Sequence, residues 1–161
     1  MTAEVSGADA MSLPQSTWRV AFAWFQSAAM FVLRIALAVP FVRSGLVKWD
    51  GFLSLAPSTL YLFESEFKLH ILGGEYPFPF PALMATLSAT GEIVLPVLLV
   101  LGLATRFAAL GVLGMAAIIQ LTYPSHWLNE GLPWAAMSLT IMAFGPGRIA
   151  IDAWVARLMR R

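Results

Sequence analysis

The sequence predicts an all-α integral membrane protein: a four-helix transmembrane bundle with an additional amphipathic helix in the interface between spans 1 and 2. Three observations lead there. Of 161 residues, 59% are hydrophobic and only 12% charged. A soluble domain of this size carries about a quarter charged residues. The mean hydropathy is +0.76, and the apolar residues fall in runs long enough to cross a bilayer, which takes about 20 residues.

The elements follow in chain order. Residues 1–17 are small, polar and mildly acidic (Glu4, Asp9) and are expected to form a disordered tail. Residues 18–155 form one membrane domain, and 156–161 a basic C-terminus. The first span is predicted from Ala21 to Val47 and contains Arg34, Pro40 and Arg43. It is too long for a signal peptide, is interrupted by Arg34 and follows a tail carrying Glu4 and Asp9, so it is expected to stay uncleaved. The second span, Ala82 to Leu103, contains Glu92 and Pro96; Ala104 to Arg106 separates it from a third, Phe107 to Tyr123. The fourth, Leu132 to Phe144, covers only about 20 Å unless it starts near Trp127. Gly145-Pro146-Gly147 ends it. Between the first two spans, Leu60, Phe63, Phe67 and Ile71 recur at helical spacing, with Glu64 and Lys68 as an i,i+4 pair. They predict an amphipathic interfacial helix from Ser58 to Leu72, stopped by Gly73-Gly74. Tyr76 to Pro81 is too rich in proline to be helical in its middle.

Orientation comes from the basic residues outside the spans. Arg19, Arg106, Arg148, Arg157, Arg160 and Arg161 fall on one side, Lys48 and Lys68 on the other, six against two. The positive-inside rule places both termini in the cytoplasm.

Several function classes are excluded. A net charge of +1 gives no basic surface for nucleic acid. The absence of cysteine rules out a CxxC redox pair, a thiolate nucleophile and a cysteine-ligated cluster. Two histidines are too few for a metal centre, although Glu66 and His70 would share one face of the predicted helix, so no metal is expected.

The candidate site consists of charges that do not suit lipid. Arg34 and Glu92 lie near the middle of the first and second spans, where each charge costs about 2.5–3.5 kcal/mol on insertion scales. Their similar depth on neighbouring antiparallel helices predicts that they face each other, either as a staple fixing helix register or as a buried polar site. Pro96 removes the N–H that would bond the Glu92 carbonyl, and Pro40 does the same for Ala36. Freed carbonyls beside a charged pair suit a polar ligand head, or else simply mark kinks that improve packing. Arg34, Phe41, Gly45 and Lys48 share one helical face, with Lys48 at its outer end. Arg34, Glu92 and Lys48 are therefore the candidate ligand or proton site, supported by Pro40 and Pro96. No catalytic residue is identified.

Four segments carry a family resemblance: Arg43-Ser-Gly-Leu-Val-Lys-Trp-Asp-Gly-Phe52, Leu62-Phe-Glu-Ser-Glu66, Ala89-Thr-Gly-Glu-Ile-Val-Leu-Pro-Val-Leu-Leu-Val-Leu-Gly-Leu-Ala-Thr-Arg-Phe-Ala-Ala109 and Gly145-Pro-Gly-Arg-Ile-Ala-Ile-Asp152. With them the chain resembles the DoxX family of small four-helix membrane proteins. It departs from relatives that carry a histidine just before the Trp-Ala opening the last span: Glu130 stands near that place and His126 lies upstream. The resemblance implies a bacterial-type cytoplasmic (inner) membrane and a membrane or peripheral protein partner beside the lipid bilayer. It also implies a redox-linked accessory role, with a quinone-like or other lipid-soluble molecule held at Arg34 and Glu92. The alternative is a non-enzymatic scaffold or carrier for a peptide-modification or metal- and oxidative-stress system.

Overall fold

The computed structural model describes residues 15–159. Residues 1–14 of the expected tail, and 160–161 of the basic terminus, lie outside the described residues; 15–17 already belong to the first helix.

Helix α1 (Gln15–Leu46) has 32 residues and is followed at a distance by α3 (Pro81–Leu101) and α4 (Thr105–Thr122). These three helices are long and apolar enough to cross a membrane. Helix α5 (Leu132–Phe144) has 13 residues, but a π-helical turn, Trp127–Gly131, runs directly into it. α1 packs on α3, α3 on α4, α4 on α5, and α5 back on α1. The shared core is Leu37, Phe41, Leu99, Val112 and Ile141 with the small residues Ala108, Ala109 and Ala116. Alanine and glycine let helix backbones approach closely where no hydrophobic force separates protein from lipid. Trp18, Phe22, Phe25, Leu83 and Phe107 point outward and stay exposed. Such residues are stable on an outer surface only if the surroundings are apolar, as lipid is.

The α3–α4 connection shows how sharply the helices reverse. Gly102 adopts a left-handed conformation (φ +69°), and Leu103 N–H donates to the Leu98 carbonyl while Gly102 N–H donates to Leu99. This is the glycine-terminated helix end that satisfies carbonyls otherwise left free. Beyond α5 the chain continues through Gly145–Ala150 into a short helix, α6 (Ile151–Leu158).

The connection between α1 and α3 corrects the sequence reading. The predicted helix Ser58–Leu72 is present only in its first half, as α2 (Pro57–Tyr61) and a π-helical turn, Leu62–Glu66. Before it, β1 (Trp49–Gly51) pairs with β2 (Ser54–Leu55). After it, β3 (Lys68–Ile71) pairs antiparallel with β4 (Gly74–Pro77). The structure is thus mainly helical, as expected, with two short hairpins in this connection. Gly73-Gly74 forms part of a hairpin connection rather than a helix stop: Leu72 and Gly73 both take positive φ, as tight hairpin turns require. Tertiary packing decides the outcome. Leu69 and Phe67 pack against the cluster of Phe63, Phe78 and Ala85, and β3 lies on α4. Glu64 and Lys68 accordingly do not share a helix, and neither do Glu66 and His70.

Candidate functional site

The site begins where α1 ends. Gly45 lies against α3, and a Cβ there would stand 2.9 Å from Ile93 Cγ1 and 3.0 Å from Glu92 Cβ. The missing side chain lets the two helices close, which brings the following turn over Glu92. Lys48 is fixed in that turn by its own backbone: its carbonyl accepts from Ala56 N–H at 2.9 Å and Thr59 Oγ1 at 3.4 Å.

Lys48 Nζ donates to Glu92 Oε2 and, at 2.9 Å, to Ser44 Oγ. Ser88, one turn before Glu92 on α3, donates to Glu92 Oε1 at 2.8 Å. Both carboxylate oxygens are therefore engaged, and Glu92 is only 3% exposed. Ser44 and Ser88 support the pair, one bonding the ammonium and the other the carboxylate.

Lys48, Glu92, Ser44 and Ser88 line one end of a cavity of about 620 Å³, with Pro40 beside them. Its walls are apolar: Phe63, Phe67 and Phe78 from the α1–α3 connection, Met84 and Leu87 from α3, Met115, Ile118 and Ile119 from α4, and Trp134 from α5. The more open end carries Tyr123, His126 and Glu130. An aromatic chain crosses this region. Phe63 meets Phe78 and Phe67 edge-on at 5.3 and 5.1 Å, Phe67 meets Tyr123 at 5.8 Å, and Tyr123 stacks on His126 at 5.7 Å. Burial pushes the Tyr123 phenol up, so it stays a neutral donor. Both π-helical turns border this cavity, through Phe63 and Glu130. Such turns occur often at functional sites.

Arg34 is elsewhere, and the expected Arg34–Glu92 pair does not form. Arg34 is fully buried; Nη1 donates to the Leu99 carbonyl at 3.1 Å, Nη2 donates to the Ile149 carbonyl, and the guanidinium sits over the Phe31 ring at 5.4 Å. The helix register explains the miss. α3 meets α1 with Glu92 opposite Gly45 and with Leu99 and Gly102 opposite Arg34. Seven residues of helix, about 10 Å, therefore separate the two levels. Arg34 serves the C-terminal end of α3, where free carbonyls and the helix dipole favour a cation. Asp152 completes this second centre. Its Oδ1 accepts from Ala104 N–H at 2.8 Å, its Oδ2 from Thr105 N–H at 2.9 Å and Thr105 Oγ1 at 2.8 Å, and its own N–H donates to the Gly102 carbonyl at 2.9 Å. Burial pushes the Asp152 carboxyl up, but the bonds from Thr105 and Ala104 and the charge of Arg34 outweigh it and hold it below the ordinary value.

Of the predicted site residues, the structure brings together Glu92, Lys48 and Pro40. Arg34 leaves the group, and Pro96 is buried in α3 away from the cavity lining. Lys48 lines the cavity beside Glu92. Ser88 was the missed partner; its signal was an i,i+4 spacing to Glu92. His70, by contrast, sits in β3 with Nδ1 3.1 Å from the Leu121 carbonyl and Nε2 3.7 Å from Glu75.

Comparison with known proteins adds a family match. The family model described as DoxX matches residues 29–125. An uncharacterized protein of Haemophilus influenzae is 26% identical over 145 residues, covering 81% of this chain and 85% of that protein. No solved structure matches.

Proposed function

Since the chain belongs to the DoxX family of membrane proteins, we propose that it is a redox-linked accessory subunit of a bacterial-type inner membrane that holds a quinone-like or other lipid-soluble molecule in the cavity. The ligand's polar head meets Lys48 and its neighbours, while Glu92 holds Lys48 in place and exchanges a proton where the chemistry needs one. Arg34 is left out of the site. The observation that carries this reading is the cavity itself: about 620 Å³, walled mainly by apolar and aromatic side chains, with the Lys48–Glu92 ion pair in its lining. Small-molecule sites have this size and build, a few polar groups within an apolar pocket.

The orientation belongs to the same proposal. Both termini are cytoplasmic, and the two hairpins and the cavity's open end face outward. The continuous helical run Trp127 to Phe144, about 27 Å long, serves as the fourth span. A reporter fused after Arg161 should behave as cytoplasmic and one inserted at Gly73 as external; the reverse at both places would overturn the orientation.

The ligand reading is tested by titrating the purified chain in lipid nanodiscs with a short-tailed benzoquinone. Saturable quenching of Trp134 fluorescence is expected, lost in a Trp134→Phe control and weakened about tenfold in the Lys48→Met, Glu92→Leu double variant, which keeps the cavity but not its charges. Unsaturable quenching identical in all three proteins would refute the site. A second reading, a scaffold or carrier for a protein partner, is favoured by one observation. Phe52, Leu72 and Phe80, in or beside the hairpins, are 96, 104 and 76% exposed. Replacing them with serine should release a co-purifying partner if that reading is right, and leave quinone binding unchanged.

A further inference from the structure

We infer that the cavity selects a neutral amphiphile whose head carries a hydrogen-bond-accepting oxygen, such as an ester or ketone carbonyl, and discriminates against an anionic head on the same tail. This rests on the reading of the cavity as a ligand site and goes beyond it by fixing the chemistry of the head.

The valences around the Lys48–Glu92 pair decide the head group. An ammonium has three N–H donors and a hydroxyl one donor. Lys48 spends two of its donors, on Glu92 and on Ser44. Ser88 spends its proton on Glu92 Oε1. Ser44 Oγ accepts from Lys48 and, among the described residues, donates to no acceptor. Two donors are left over, the third N–H of Lys48 and the O–H of Ser44. Their parent atoms are 2.9 Å apart, so a single oxygen can accept from both.

Charge decides against the alternatives. The positive charge of Lys48 is already balanced by Glu92, and Glu130 adds a negative charge toward the open end. A carboxylate head would have to compete with Glu92 for Lys48. It would leave one of the two carboxylates buried without its cation, the arrangement that makes a broken buried pair so unfavourable. An alkylammonium head would bring a second cation to Lys48, where both Glu92 oxygens are already engaged. A carbonyl oxygen satisfies both spare donors and disturbs no charge. Its apolar body then lies along Phe63, Phe67, Met115 and Ile118, which offer it no polar group.

The experiment uses the full chain in nanodiscs and three tail-brominated probes of equal length: methyl dodecanoate, dodecanoate and dodecylamine. Quenching of the Trp134 component reads binding. The methyl ester should bind about tenfold or more tighter than either charged probe. Ser44→Ala, at an exposed residue, removes the second donor atom, so that the head's oxygen can accept from Lys48 alone, and leaves the ion pair intact. It should weaken the ester about fivefold and leave the carboxylate unchanged. Carboxylate or amine binding as tight as the ester, or an ester affinity indifferent to Ser44→Ala, overturns the inference while leaving the site. If none of the three probes reaches Trp134, the ligand-site reading falls and this inference with it.

Discussion

Arg34 and Glu92 are both charged side chains inside apolar helices, two helical turns apart in level, and the fold treats them differently. Arg34 is spent on backbone: the Leu99 and Ile149 carbonyls take its two terminal nitrogens, and Asp152 ties the same corner to the first turn of α4. That centre joins α1, the α3–α4 turn and the segment after α5, and its residues do not line the cavity. Glu92 is instead held by side chains, Lys48 and Ser88, at the edge of a large apolar space. A charge satisfied by the main chain works as a rivet. A charge held by other side chains at the edge of an open space can do chemistry. The difference teaches that a charge within a span marks a site only when its partners leave it facing open space.

Three measurements would break or sharpen this contrast. The largest effect is expected from Arg34→Leu, which strands the Ile149 carbonyl, leaves the Leu99 carbonyl with Gly102 N–H alone and empties a fully buried space. It should lower stability by about 3–5 kcal/mol, and Arg34→Lys should not restore it, because a single ammonium cannot reach both carbonyls in the guanidinium's planar geometry. Thermal unfolding in detergent reads this directly; a wild-type midpoint would show that the corner is not a rivet.

A smaller effect is expected at the other centre. Glu92→Leu should cost about 2–4 kcal/mol by stranding Lys48, and adding Lys48→Met should recover most of it. The same Glu92→Leu combined with Arg34→Leu should be additive within about 0.5 kcal/mol, since the two share no partner. Strong coupling to Arg34 and none to Lys48 would reverse the assignment.

The smallest effect concerns Asp152. Asp152→Asn removes a carboxylate cap at the start of α4 and should cost about 1 kcal/mol near neutral pH. Its folded pKa is depressed, so its contribution is complete above the unfolded value near 3.9 and is lost as pH falls through the lower folded value. Wild type should therefore lose its advantage over the variant on acidification below about pH 4. A difference between the two that stays constant from pH 7 to pH 3 would remove Asp152 from the ionic account.

The sequence by itself determined the solvent, the positions of three spans and the identity of the polar residues. Hydropathy and charge are sums over local composition, and the bilayer imposes a length that such sums can be compared with. It also marked Glu92 and Lys48, because a charge inside an apolar run needs a partner wherever it lies. What it left open was which charge meets which. That depends on the axial offset between helices, set here by close packing at Gly45 and Gly102 and invisible to a count of residues from span centres. It also left open the fate of Ser58 to Leu72, whose apolar spacing suits a helix. Only tertiary contact turned its second half into a strand, since pairing with Gly74–Pro77 and burial of Phe67 and Leu69 against Phe63 and Phe78 outweigh a helical preference worth tenths of a kcal/mol per residue. The cavity belongs wholly to the tertiary structure. Its lining is drawn from four separate α-helices and from the turns and extended residues between them, and nothing local in the chain says that these will meet.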